Sequence, residues 1–357
     1  MEPKPALLPF NVRKIAIVRA NGLGDMIFAI PALAALRATY PDAEIVLLGK
    51  VWHVQFFRNR PGPVDRVIAI PPYPGVGACE DVSDDRPDLD DFFQAMAREQ
   101  FELALQMHGG GRNSNPFVRR LGARLTAGLR TPDAPALDLW IPYIYFQSEI
   151  VRYLETVSLV GAKAVGLEPE ICVTPDDVEE SCASVPPDDR PLVVMHPGAT
   201  DGRRRWSPAK FGAVGKVLAD QGLRVVVTGL PEEGDLIRAV LQAMNCPGEG
   251  ISSLSVEGLV GLLSRARLTI SNDSGPLHLA GAVGVLTVGI YWCGNVITAA
   301  PLGRTRHRPV LSWRLNCPTC NRNTINDNCD HRTSFVDDIS VDEVLAQCFD
   351  LLNLPRD

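Results

Sequence analysis

Apolar positions fall into short unbroken runs, and most runs lead into a longer stretch that reads as a helix. Lys14-Ile-Ala-Ile-Val-Arg19 is the first run, closed by the glycine turn Ala20-Asn-Gly-Leu-Gly-Asp25. Residues 26–38 are apolar almost all round and predict a helix covered on every side; residues 44–48 predict the next strand. Buried-type strands alternating with helices predict a βαβ opening and a doubly wound, mostly parallel α/β sheet. The alternation continues with strands at 66–70, 102–107 and 124–129, helices at 91–98 and 148–160, a Pro/Gly/Asp-rich loop at 71–87 and an aromatic run at 140–145. Residues 168–190 carry Pro-Asp-Asp and Pro-Pro-Asp-Asp and read as a linker. Beyond it come strands at 192–195, 223–228, 267–270 and 285–290, with helices at 209–221, 236–244, 256–264 and 276–283.

Composition narrows the class. A chain of 357 residues favours two domains, and 46% hydrophobic with 22% charged residues is ordinary for a globular protein. A formal charge of -7 gives no basic field for nucleic acid. No apolar run reaches the roughly 18 residues that span a bilayer, and no signal peptide is visible, so a cytoplasmic protein is expected. The nine cysteines are mostly scattered; Cys79, Cys172, Cys182, Cys246, Cys293 and Cys348 are expected to be reduced and mostly buried.

Candidate chemistry gathers where strands end. In the second half, three strand ends run into loops with ligand-type residues. Thr200 to Arg205 contains three consecutive arginines, Gly229-Leu-Pro-Glu-Glu233 ends in carboxylates, and Ser271-Asn-Asp273-Ser274-Gly275 precedes a helix carrying His278 in its first turn. A parallel sheet puts all three on one edge. Cations and a helix N-terminus suit phosphate, and a carboxylate suits ribose hydroxyls. Taken singly, each loop also reads as a cap or a solvated charge run. In the first half, Asp25 reads either as a helix cap or as a carboxylate at the ligand-binding edge, placed to act as a general base beside Gly24. His108-Gly-Gly-Gly-Arg112-Asn113 reads as a plain loop or as a mobile loop facing a substrate. Asp88-Leu-Asp90 has the form of a metal-binding DxD but sits in an acidic run before a helix, and is taken as a solvated helix start.

Four stretches carry a resemblance: Asn21-Gly-Leu-Gly-Asp-Met-Ile-Phe-Ala-Ile-Pro-Ala-Leu33, His196-Pro-Gly-Ala, Arg205-Trp206-Ser-Pro and Ser271-Asn-Asp-Ser-Gly-Pro-Leu-His-Leu279. They resemble glycosyltransferase family 9, the bacterial heptosyltransferases, over most of the chain. The resemblance implies a GT-B fold, with two Rossmann-like domains facing across a cleft. The first would span 1–172 on the acceptor side and the second 190–335 on the nucleotide-sugar side, with residues 340–357 returning to the first as a helix. It implies inverting, metal-independent transfer of heptose from an ADP-sugar to a glycolipid or glycan acceptor of lipopolysaccharide type. Such an enzyme needs no cofactor and works in the cytoplasm, with at most peripheral contact with the inner membrane. By position, Asp25 looks like the base, Asp273 to His278 like the phosphate turn and Glu233 like the ribose contact. Arg204, with Arg205 beside it, looks like the group that stabilises the leaving ADP; the family usually has lysine at the Arg204 position.

Rival readings are a non-catalytic nucleotide-sugar binder and another GT-B enzyme, such as a nucleotide-sugar epimerase. One pattern stands apart. Cys317-Pro-Thr-Cys320, followed by Cys329-Asp-His331, offers four soft ligands in fifteen positions, as a structural zinc site, a disulfide or reduced loop thiols.

Overall fold

The computed structural model describes residues 10–77, 81–325, 327 and 329–354. The chain forms two compact units, Met1–Cys172 and Val173–Asp357. Cys79 and the N-terminal lead-in lie outside the described residues.

The first unit runs β1 (Lys14–Val18), α1 (Leu23–Thr39), β2 (Glu44–Gly49), α2 (Val51–Phe56), β3 (Arg66–Ala69), α3 (Pro87–Glu99), β4 (Leu103–Gln106), α4 (Ser114–Arg120), β5 (Leu125–Arg130), β6 (Leu139–Pro142) and α5 (Glu149–Ser158). Its six strands are all parallel, in the order β3-β2-β1-β4-β5-β6. Ile15, the register partner of both Ile45 and Leu103, is fully buried with them, as expected of a sheet covered on both faces. The aromatic run supplies β6, an edge strand. Asp88 and Asp90 sit in the first turn of α3, where Asp88 pairs with Arg86 and Asp90 with Arg120 at 3.0 Å. The paired acids suit the positive end of the helix.

The second unit runs α6 (Pro175–Ser184), β7 (Leu192–His196), α7 (Pro208–Asp220), β8 (Arg224–Thr228), α8 (Gly234–Met244), β9 (Glu249–Ile251), α9 (Val256–Ser264), β10 (Ala266–Asn272), α10 (Gly275–Ala282), β11 (Leu286–Trp292), α11 (Cys293–Ala299), β12 (His307–Ser312) and α12 (Val341–Leu352). Its six strands are also parallel, ordered β12-β11-β10-β7-β8-β9. Read from the other edge, this order repeats that of the first unit. In both sheets the order reverses between two central strands, β1 and β4 in the first and β7 and β10 in the second. Loops leaving the carboxyl ends of such a pair diverge and open a crevice, the usual ligand position in a doubly wound sheet.

Three expectations need correction. The stretch expected to be a linker contains α6. Thr174 accepts from the Asp177 N–H and Asp177 from the Thr174 N–H, a reciprocal cap, and Asp177 is buried. Residues 340–357 were expected to return to the first domain. Instead α12 sends Val344, Cys348 and Leu351 into the core of the second unit. The scattered cysteines are less buried than expected: Cys293 and Cys348 are buried, Cys182 and Cys246 are half-buried and Cys172 is exposed.

The docking of α6 on α9 needs Gly261. A Cβ there would overlap the Asp177 carbonyl oxygen. Gly261→Ala should therefore destabilise the protein by about 1–3 kcal/mol, read as a lower denaturant midpoint. An unchanged midpoint would show that α6 is not seated against α9 in this way.

Candidate active site

In the second unit, β7 and β10 end side by side, with Ser271 in register with His196. The loop after β7 turns at Gly202–Arg204, where Asp201 caps the Arg203 N–H at 3.0 Å and pairs with its guanidinium. Trp206 fastens the end of this loop. It is fully buried, its backbone N–H donates to Asn272 Oδ1 at 3.0 Å, and its indole N–H donates to the Ile339 carbonyl at 2.9 Å. Asn272 in turn donates to the Pro197 carbonyl at 2.7 Å. One asparagine side chain at the end of β10 thus holds both ends of the arginine loop.

Asp273 is the centre of this group. Its side chain is 3% exposed and meets three donors: Arg204 Nη1 at 3.1 Å, His278 Nε2 at 3.1 Å and Asn295 Nδ2 at 2.9 Å. Burial opposes its ionisation, but His278, Arg204 and Asn295 outweigh it and hold the carboxyl below its usual value. Asp273 therefore faces a guanidinium, an imidazole and an amide, and its own oxygens would repel phosphate. It acts by fixing Arg204 and His278. The Arg204 side chain is 25% exposed, and its other guanidinium donors have no protein partner among the described residues. Ser274 does not cap α10, since its hydroxyl meets that of Ser271 at 3.1 Å, and Pro276 has no N–H. The first-turn N–H of Gly275 is left for another acceptor.

The neighbouring strand end supplies Glu233, which is buried. Its Oε2 accepts from the Leu230 N–H at 3.0 Å and its Oε1 from Arg205 Nη2 at 3.3 Å. The carboxylate lies against Gly198, where any Cβ would overlap it. Arg205 also donates to the Ala199 carbonyl at 2.9 Å, and Thr200 is exposed beside it. His196 is buried; burial, with Arg205 nearby, pushes its pKa down to about 4, so it is neutral and packs beneath the loop. Thr200, Arg204, Arg205, Glu233, Asp273, Ser274, Gly275 and His278 thus all lie at adjacent strand ends of one sheet.

In the first unit, Asp25 makes the helix cap foreseen for it. Its Oδ2 accepts from the Gly22 N–H at 3.1 Å, capping α1 one residue after Gly24, and its Oδ1 meets Arg19 Nη2 at 3.2 Å. Its side chain remains 44% exposed. Arg19 is buried, donates to the Asp25 and Met107 carbonyls, and is held by the Tyr153 hydroxyl at 2.5 Å. His108 links two loops. Its Nδ1 accepts from the Ala20 N–H at 3.2 Å, so Nε2 carries the proton and donates to the Gly75 carbonyl at 3.0 Å. Burial first, then the Arg19 charge, lowers its pKa to about 4, and the ring is neutral.

The loop after β4 is tied to the strand it leaves and to the helix that follows. The Gln106 amide donates to the His108 and Gly109 carbonyls at 2.7 and 2.9 Å, and Ser114 Oγ donates to the His108 carbonyl at 2.7 Å. Asn113 packs against Gly75, while Arg112 stays exposed, 4.0 Å from Asp133. Sequence reasoning missed Arg19, Gln106, Asn272 and Asn295. Arg19 and Gln106 read as ordinary strand residues, and Asn272 as one more residue of the turn after 270. Asn295 lies 22 residues beyond the aspartate it touches.

Cys317, Cys320, Cys329 and His331 place one ligand atom each within 4.8 Å of one another. No helix among the described residues is long and apolar enough to cross a membrane.

Residues 90–328 match a family model described as glycosyltransferase family 9 (heptosyltransferase). Lipopolysaccharide heptosyltransferase 2 of Salmonella typhimurium is 23% identical over 295 residues, covering 78% of this chain and 82% of the relative. A glycosyl transferase of family 9 from Veillonella parvula has a similar structure, with a TM-score of 0.77 at 17% identity, over 96% of this chain and 99% of that one. The ADP-heptose LPS heptosyltransferase II of E. coli gives 0.72 at 18% identity, over 96% and 98%. At these identities the structural likenesses show the fold, which is GT-B.

The buried Asp273 carboxylate has a pH signature. Its pKa is lower folded than unfolded, so its stabilisation is full above the usual aspartate value near 4 and is lost as pH falls through the lower folded value. Asp273→Asn should cost about 2 kcal/mol at neutral pH, the scale of a charge-assisted bond. The gap to wild type should close at acid pH in denaturant melts. A gap independent of pH would mean that the carboxyl is not ionised.

Proposed function

The chain belongs to glycosyltransferase family 9 and is a glycosyltransferase, and from that premise we propose that it transfers heptose from an ADP-sugar to a glycan acceptor of lipopolysaccharide-core type, with inversion and without a catalytic divalent metal. The observation that carries this reading is the Arg204–Asp273–His278 cluster beside the uncapped start of α10. It offers fixed positive charge to a diphosphate, the task that a bound metal performs elsewhere. Relatives named for heptosyl transfer, one of them for ADP-heptose, support the choice of sugar and nucleotide.

In this reading the second unit binds the donor. Arg204 and the Gly275 N–H at the start of α10 take the diphosphate, with Arg205 and Thr200 alongside, and Glu233 takes the ribose hydroxyls. The first unit prepares the acceptor. Asp25 removes the proton from the attacking hydroxyl as the new bond to the anomeric carbon forms and the bond to the phosphate oxygen breaks. One displacement inverts the centre, ADP leaves with the bonding pair, and the proton rests on Asp25. The loop tied by His108, with Arg112 and Asn113, borders the acceptor. Ile144, Tyr145 and Phe146 are exposed on a turn held by buried Arg152, and the preceding Tyr143 lies against Gly110. That apolar turn suits an acceptor with a lipid portion, and it supports a cytoplasmic enzyme in peripheral contact with the inner face of a membrane. The exposed Asp25 carboxylate favours a working transferase over a degenerate binder.

Two substitutions separate the roles. Asp25→Asn keeps an acceptor for the Gly22 N–H but cannot take a proton. Turnover should fall by about 10²-fold or more while ADP affinity, read by calorimetric titration, stays near wild type. Arg204→Ala should weaken ADP binding by about 1–3 kcal/mol and lower turnover as well. Turnover of Asp25→Asn at the wild-type rate, or unchanged ADP binding by Arg204→Ala, would remove that residue from the mechanism.

A further inference from the structure

Between the end of β12 and Phe335 the chain makes an excursion over residues 313–334, with no helix or named strand among the described residues. Its only pairing among the described residues is the isolated bridge Asn316–Asn323. Cys317 is its one buried side chain among those residues, whereas Trp313 and Leu315 face solvent. Apolar burial therefore cannot hold this segment, and a loop of such length without its own structure normally has another staple or a function.

The four soft ligands supply a staple. Cys317 and Cys320 sit on a tight knuckle. The Cys317 N–H donates to the Arg322 carbonyl at 2.8 Å, the Asn321 N–H donates to the Cys317 carbonyl at 2.9 Å, and Asn321 takes a positive φ of 61°. The returning strand of the excursion brings Cys329 and His331 to the same point, so three sulfurs and one imidazole nitrogen lie within 4.8 Å of one another. A tetrahedral zinc site with bonds near 2.3 Å has edges of about 3.8 Å, so a small closure reaches it. A disulfide would use two of the thiols and leave the third, and the histidine, gathered for no reason.

We propose that Cys317, Cys320, Cys329 and His331 bind one tetrahedral thiophilic divalent cation, zinc, as a structural site. The cation joins the two strands of the excursion above its anchored base. At that base Ser312 Oγ donates to the Phe335 carbonyl at 2.6 Å, Thr319 and Thr333 pair their hydroxyls at 2.8 Å, the Phe335 N–H donates to the Arg203 carbonyl at 2.7 Å, and Ser334 Oγ donates to the Arg205 carbonyl at 2.7 Å. The site thus buttresses the arginine loop from outside. This inference does not depend on the identity of the donor, because its test reads metal and not transfer.

The experiment uses the full chain, purified under reducing conditions with Zn²⁺ supplied and then dialysed. Native mass spectrometry and elemental analysis should find one zinc per chain, lost in Cys320→Ser and Cys329→Ser and kept in Cys182→Ser, whose thiol lies on α6. Cobalt(II) in place of zinc should give the absorption of a tetrahedral thiolate site, a reading on the wild-type protein that does not depend on any variant folding. Stripping zinc with a chelator should raise hydrogen exchange across residues 313–334. A wild-type chain that retains less than a tenth of an equivalent of zinc, or cluster variants that retain as much as wild type, would overturn the proposal.

Discussion

A carboxylate buried away from water must be paired, and the second unit is arranged around that requirement at Asp273. Its three partners come from three separate segments: Arg204 from the loop after β7, His278 from α10 and Asn295 from α11. None can move far without leaving the charge uncompensated. The aspartate thereby fixes a partly exposed arginine and the start of a helix in one relative position. In the proposed reaction this fixed charge meets the diphosphate as it becomes a leaving group, with no reorganisation needed at the moment of transfer. The negative charge that organises the site is thus distinct from the positive groups proposed to bind.

The same principle governs the first unit with the signs exchanged. Arg19 is a buried cation surrounded by acceptors: the Asp25 and Met107 carbonyls, the Tyr153 hydroxyl and the carboxylates of Asp25 and Glu149. Asp25 is the exposed member of that set. Both clusters sit where the strand order reverses, β1 beside β4 and β7 beside β10. The chain has therefore used one architecture twice, with a cation presented by one unit and a carboxylate by the other.

Much of this was legible because it is local. The alternation of apolar runs and helices marks both sheets, and the turns at 20–25 and 271–278 declare themselves within a few residues. Long-range pairing was not legible: nothing near Asn295 or Asn272 marks either as a partner for a residue of another segment. Three of the four edge strands, β6, β9 and β12, also escaped. β9 has three residues, and β12 holds Pro309 and Arg308, which a central strand would not favour. Helix α6 was hidden by the Pro and Asp residues that suggest a linker, although Thr174 and Asp177 spell a reciprocal cap. The packing of α12 depends on which sheet face lacks cover, and no single segment encodes that.

The central claim is that the nucleotide of the donor is held by the second unit at the β7, β8 and β10 strand ends. Hydrogen exchange with and without saturating ADP tests it most directly. The account predicts protection in peptides covering 197–206, 229–235 and 273–279, with none at 20–25 or 108–113. Protection confined to the first unit's loops would contradict it.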